Sequence, residues 1–328
     1  MIWYSWLNHA YREIISFHQK EKGHHALLLH ANDGMGSDVL IYAISRWIMC
    51  QQPFDQKSCG SCHDCQLMLA QTHPDWHKMV PEKGKNLIGI ESIHYLTSNL
   101  VNHAHQGGAK VVWFPCVDIF TEAASNALLK TLEEPTNNTY FLLECRDPDQ
   151  LLATLRSRCF NYHLEAPMQQ TIMSWLKKQK LHSVSLLDIE TAIKLNAAAP
   201  LAVLDLLNPK NWNKRKQFYQ SLMQNLVTQT IFHWLPELDQ PDATVRISWL
   251  MSLLIDAVKY QQKAMHYCVN QDQSPLISKL ASINSSAVLL NSVTEWQKCR
   301  HQLMTVMGLN QELRLASQLM HWQQTLYH

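Results

Sequence analysis

The sequence predicts an α/β domain followed by an all-α region, and three observations carry that reading. Up to about residue 164, short apolar runs alternate with stretches of helical period. After Pro167 the strand-like runs stop. Glycine supplies only 9 of 328 residues, where ordinary usage near 7% would give about 23. So few glycines favour long helices over tight hairpins and argue against an all-β sandwich.

The elements follow in order. Ala-Leu-Leu-Leu at 26–29, Asp-Trp-His-Lys-Met-Val at 75–80, Lys-Val-Val-Trp-Phe at 110–114 and Tyr-Phe-Leu-Leu at 140–143 read as buried strands. Amphipathic stretches at 38–49, 90–105 and 121–134 lie between them. Strands spaced by helices of that length form βαβ units and a parallel sheet covered on both faces. Gly-Gly-Ala-Lys at 107–110 turns into a strand, and Pro135 ends the helix 121–134. Residues 168–207 carry short helical patterns broken by Asn-Ala-Ala-Ala-Pro at 196–200. From Asn208 to His328 the chain reads as long amphipathic helices at 213–234, 244–268, 285–306 and 309–325. Leu303, Val306 and Met307 share one apolar helical face, as do Leu313, Ala316 and Met320. Such stripes serve as core or helix–helix contact. The expected domains are 1–167, 168–207 and 208–328.

Composition excludes several classes. No apolar run approaches the 18 residues of a membrane span, and the start lacks the basic and apolar regions of a secretory signal. A soluble, cytoplasmic chain without membrane attachment is expected. Lys+Arg is 28 against Asp+Glu 27, a formal net charge of +1. A protein that coats nucleic acid by counterion release would carry more, so any nucleic-acid role must be local or shared with partners. Charged residues make up 17%, below the usual quarter, as expected where other subunits cover much of the surface.

Four of the nine cysteines form the strongest chemical signal. Cys50, Cys59, Cys62 and Cys65 fall within 16 residues, the last three at x2 spacing. Four thiolates so spaced suit a closed tetrahedral zinc site, and with no open position for water that zinc is structural. Gly60 relaxes the first turn. Cys-x2-Cys-x2-Cys also begins an iron–sulfur motif, but no Cys-Pro follows at the required spacing, which ranks that reading second. His63 and His73 are conceivable substitute ligands, better read as exposed.

A second signal is a phosphate-loop position that has lost its chemistry. The first strand runs into Ala31-Asn-Asp-Gly34-Met-Gly36-Ser37-Asp38 and then a helix. A working loop, GxxxxGK[ST], needs a Lys for the β/γ-phosphate charge and a hydroxyl for magnesium. Here Ala31 stands at the first glycine, Ser37 at the lysine and Asp38 at the magnesium ligand. A carboxylate facing a phosphate at about 4 Å costs roughly 4 kcal/mol at an effective dielectric near 20. The turn is expected to persist without its nucleotide. The strand at 110–114 agrees, because it runs into Pro115 and Cys116, where an ATPase places an Asp for magnesium and a Glu for water. Asp118 lies three residues further along and is a poor replacement.

These degenerate motifs sit among stretches that carry a resemblance: Trp3-Tyr-Ser-Trp-Leu7, Gly23-His-His-Ala-Leu-Leu28, the glycine loop, the cysteine cluster and Thr72-His-Pro-Asp75. Asn126-Ala-Leu-Leu-Lys-Thr-Leu-Glu-Glu-Pro135, Leu151-Leu-Ala-Thr-Leu-Arg-Ser-Arg-Cys159 and Gly308-Leu-Asn-Gln-Glu-Leu313 add to it. With them the sequence resembles the delta-prime family of bacterial DNA polymerase III clamp-loader subunits. The likeness is densest in the first 165 residues and thinner over 168–300.

The resemblance implies an AAA+ parallel-sheet domain with an inserted zinc module at 50–65, a small helical lid and a C-terminal helical collar for oligomerisation. It implies a stator that does not hydrolyse ATP, working with gamma/tau and delta subunits to load a sliding clamp onto primed DNA within the DNA polymerase III holoenzyme. It also implies that in Ser157-Arg158-Cys159 the middle arginine reaches a neighbour's γ-phosphate, where a guanidinium supplied in trans stabilises transition-state charge. Arg156 is a weaker substitute. In the lid, Leu201 takes the place of a sensing arginine. Two other readings stay open: an ATP-hydrolysing motor of the gamma/tau type, and a zinc-dependent nucleic-acid-binding module.

Overall fold

The computed structural model describes residues 2–82, 85–100, 104, 106, 108–179, 184–306 and 308–327. Residues 101–103 and 105 of the predicted helix 90–105, with Gly107 and Met307, lie outside them. The chain divides into two compact units, Met1–Pro167 and Met168–His328.

The first unit is a five-stranded parallel sheet with helices. Its elements run α1 (Asn8–Gln19), β1 (Ala26–His30), α2 (Ser37–Ile48), α3 (His63–Ala70), β2 (Trp76–Lys78), α4 (Ile90–Leu100), β3 (Lys110–Phe114), α5 (Glu122–Glu133), β4 (Thr139–Cys145), α6 (Ala153–Arg156) and β5 (Phe160–His163). The strand order is β2-β3-β4-β1-β5. Sheet position explains burial. The inner strand β3 is buried at all five residues and pairs on both sides, Val112 opposite Phe141 and His77. Because successive side chains alternate faces, Val112, Phe114, Phe141 and Leu143 meet Leu96 and Leu128 in one core, while Trp113, Leu142 and Glu144 turn to the other face. Thr121 caps α5, its hydroxyl accepting the Ala124 N–H at 3.1 Å; the helix stops at Glu133, two residues before Pro135. The predicted strand 75–80 shortens to three residues. The sequence did not predict α1, although it buries Ala10, Ile14 and Ile15. Nor did it predict β5, which pairs only with β1 at the sheet edge and so lacks a buried apolar run.

The second unit is entirely helical among the described residues: α7 (Gln169–Leu176), α8 (Leu186–Leu195), α9 (Pro200–Leu206), α10 (Pro209–Thr228), α11 (Leu235–Leu238), α12 (Ala243–Gln261), α13 (Ser274–Ile283), α14 (Ser286–Thr305) and α15 (Gln311–Tyr327). Pro200 starts α9 after the left-handed Ala197 and Ala198, which break the helical path. Asn208 caps α10 and Ser285 caps α14. Residues of 168–207 and of 208–328 contribute to one core, from Ile172 to Leu326.

Three expectations here are corrected. The helix expected at 213–234 ends at Thr228, where Gln229 turns left-handed, and a 3-10 turn over Ile231–Trp234 buries Trp234. The helix expected at 244–268 ends at Gln261, because the following residues fold back onto Asp256: its carboxylate accepts the N–H groups of Val269 and Asn270. The stripe Leu313–Ala316–Met320 is not the packed face of α15, since Leu313 is 69% and Met320 54% exposed. The helix instead buries Leu315, Leu319, Trp322 and Leu326, turned inward by Trp322, whose ring meets Trp296 edge-to-face at 5.6 Å.

Candidate functional site

The turn after β1, expected from the sequence to be a degenerate phosphate loop, carries two left-handed glycines and runs into a helix. Gly34 and Gly36 take φ of 84° and 78°, a left-handed region that side chains rarely enter, and Gly36 leads into α2. Trp6 holds the loop from the N-terminal segment, its indole N–H donating to the Met35 carbonyl at 2.8 Å. Ser37 and Asp38 occupy the first turn of α2.

What faces this turn could not be read from the sequence. Glu144, on β4, is buried; the Trp113 indole donates to its Oε1 at 2.6 Å, and Ser37 hydrogen-bonds its carboxyl. The Lys78 ammonium sits 4.1 Å from the centre of the Trp113 ring. Burial pushes the Glu144 carboxyl up to about 7; bonds from Ser37 and Trp113 oppose that rise and Asp38 adds to it. Arg146, just past β4, pairs with Asp33 of the loop at 2.8 Å. The turn therefore meets acidic groups from within the domain, and the nearby arginine is already engaged. The only sequence signal was a lone carboxylate after an apolar run.

The strand-end position after β3 holds Pro115 and Cys116. Asp118 is occupied structurally: its Oδ2 accepts the Arg146 N–H at 3.0 Å and the Cys116 thiol at 3.3 Å. It ties together the segments after β3 and β4.

Cys50, Cys59, Cys62 and Cys65 converge as their spacing predicts, their sulfurs within 4.8 Å of one another. The Cys50–Cys62 and Cys59–Cys65 sulfur distances are 4.0 and 3.9 Å. A tetrahedral ion with metal–sulfur bonds of about 2.3 Å needs sulfurs roughly 3.8 Å apart, so the four could hold a metal. Backbone N–H groups of Cys59 and Cys62 donate to the sulfurs of Cys50 and Cys59. Hydrogen bonds from the backbone of Cys62 and Ser61 bring the Cys59 thiol down to about 6, whereas burial pushes Cys65 up to about 12. Gly60, at φ 75°, makes the turn between them. The module is fastened to the domain: Tyr11 donates to the Gln56 carbonyl at 2.7 Å, and Tyr42 to that of Met68 at 2.5 Å. His63 is exposed, but the expectation of an exposed His73 is corrected. His73 is buried, with Nε2 3.5 Å from the buried Asp64 carboxylate, and it braces α3 against the residues entering β2.

Arg158 follows α6 with its side chain about one-third exposed. Its guanidinium bonds the Glu133 carboxylate at the end of α5 and donates to the Thr154 carbonyl at 2.8 Å. Ser157 is exposed and Cys159 buried. Arg156 pairs separately with Asp149 at 2.7 Å. Leu201 lies half-buried in the first turn of α9.

Known proteins resemble the chain along its whole length. The profile described as DNA polymerase III, delta subunit matches residues 6–168, and that described as DNA polymerase III, delta subunit, C terminal matches 209–324. A DNA polymerase III subunit delta' from Yersinia pestis is 49% identical over 99% of this chain and 97% of its own length. The Escherichia coli (strain K12) protein of the same name is 42% identical over 98% and 95%. A DNA polymerase III subunit tau from Escherichia coli is 29% identical over 44% of this chain.

Proposed function

This chain belongs to the delta-prime family of DNA polymerase III subunits, and we propose that it is a clamp-loader component that hydrolyses no ATP itself. In this reading residues 1–167 form the AAA+ domain, 168–207 the lid and 208–328 the collar. The chain acts as a stator among gamma/tau and delta subunits in the cytoplasm and supports placement of the sliding clamp on primed DNA by the holoenzyme. Four cysteines hold a structural zinc.

The observation that carries the reading is the loop itself. Gly34 and Gly36 take positive φ, yet Ser37 and Asp38 stand at the lysine and hydroxyl positions of a working loop, and the buried Glu144 is bonded by Ser37. A chain that holds no ATP can still act on ATP through Arg158, supplied in trans to a neighbouring subunit. The guanidinium lies on the surface and is held by one carboxylate and one carbonyl, so it is free to exchange partners.

The test is the clamp- and DNA-stimulated ATPase of the reconstituted complex carrying Arg158→Ala in this subunit alone. A trans finger is worth 10³–10⁵ in rate at the site that it serves. Because other sites keep their own fingers, a partial loss of total turnover is expected, with assembly intact. Unchanged turnover and clamp loading would reduce Ser157-Arg158-Cys159 to a structural motif.

A further inference from the structure

We infer that a basic, aromatic-walled cavity beside the cysteine module binds a single DNA strand. The cavity, about 430 Å³, lies among α1, the end of α2 and the segment between Cys50 and Cys59. Arg12, Arg46 and Lys57 supply positive charge from these three elements, and Trp3 and Tyr11 supply rings. Arg46 lies nine residues beyond Ser37, about 13 Å along the helix, so this cavity is distinct from the phosphate-loop turn.

Three features make it a built site. Among the described residues, Arg12, Arg46 and Lys57 have no ion-pair partner, in a chain whose net charge is only +1. The Arg46 Nε is buried without a hydrogen-bond partner, so no group of the chain uses this donor. The aromatic wall is fixed in advance: Trp3 donates to Asn8 at 2.7 Å and meets Tyr11 edge-to-face at 5.4 Å, yet stays 40% exposed. The Tyr11–Gln56 bond pins the loop carrying Lys57 to α1.

Cations that track phosphates, beside an exposed ring on which a base can stack, are how proteins hold single strands. A duplex hides its base faces, and an acidic peptide has none. The cavity volume suits one stacked base and its neighbouring phosphates.

The experiment titrates the full-length chain with a fluorescein-labelled oligothymidylate of about twelve nucleotides, read by anisotropy at several salt concentrations. Three phosphate contacts predict a log K against log salt slope near −2, and Arg12→Gln or Lys57→Gln should each flatten it by about 0.7. Trp3→Ala should weaken binding at least fivefold and Trp3→Phe much less, since stacking needs a ring. Arg12 and Lys57 are exposed, so their Gln variants should leave the thermal transition in place, and Trp3→Phe keeps a ring beside Tyr11. No binding, a slope unchanged in the Arg12→Gln/Lys57→Gln double variant, or equal binding by Trp3→Ala would overturn the inference. Displacement by an oligoglutamate of equal charge at equal concentration would also overturn it and mark an acidic-peptide site. The Arg158 reading stands or falls separately, on the ATPase of the complex.

Discussion

Arg158 lies across the carboxylate of Glu133, joining the turn after α6 to the last residue of α5. Both side chains are partly exposed, at 31% and 48%, and ion pairs in that setting contribute about 0.2–1 kcal/mol. The tether orients the guanidinium but holds it weakly. Glu133→Gln should therefore shift the melting temperature by no more than a few degrees, and the reconstituted ATPase should keep at least half its turnover. A loss as deep as that of Arg158→Ala would show that Glu133 is needed to aim the guanidinium.

The isolated chain should bind ATP no more tightly than millimolar, by calorimetry or by displacement of a fluorescent nucleotide. Ser37→Lys alone should not rescue it, because Asp38, Glu144, Pro115 and Cys116 remain. Micromolar affinity in the unaltered chain would instead favour a motor of the gamma/tau type.

The purified chain should contain about one zinc and no iron by elemental analysis. Cys62→Ser removes one of the four proposed ligands, while the serine hydroxyl can still cap α3 in place of the sulfur that accepts the Cys65 N–H. Because metal binding becomes local folding energy, hydrogen exchange should rise across 50–73 while α10 to α15 stay protected.

Arg215 should prove essential to the helical unit. It is fully buried, donates to Asp272 at 2.6 and 3.0 Å and to Asn270 at 2.7 Å, and lies 4.7 Å from the ring centres of both Trp212 and Tyr219. Removing one partner of such a pair costs about 3–5 kcal/mol. Denaturant unfolding of Arg215→Ala should show a loss in that range.

The parts legible in the sequence are those set by local pattern. Buried strands such as β3 appear as unbroken apolar runs, and the four cysteines converge because x2 spacing brings neighbouring sulfurs to one point. What escaped depends on distant partners. Edge strand β5 has only one neighbour to bury it, α12 ends where Asp256 captures a returning loop, and the inward face of α15 is chosen by Trp296. Glu144 lies just beyond the predicted strand 140–143, and no local pattern shows the partners that Trp113, 31 residues earlier, and Ser37, on another element, give it.

Glu144 also yields a prediction with a definite sign. Its carboxyl titrates near 7 in the folded chain against an ordinary 4.5, chiefly through burial. Between those values the folded state keeps a proton that the unfolded state has released, so stability falls as pH rises from about 4.5 to 7 and stays lower above that. A shift of this size corresponds to roughly 3 kcal/mol at most. Glu144→Gln keeps the volume, leaves a carbonyl to accept the Trp113 N–H and abolishes the titration. The variant should match the parent near pH 4.5 and exceed it in unfolding free energy at pH 8. Parallel profiles would mean that the carboxyl is solvated and that the turn after β1 is not closed from within by a buried acid. A widening gap would locate, in one side chain, a stability cost that the domain bears for keeping an acidic group beneath its phosphate-loop turn.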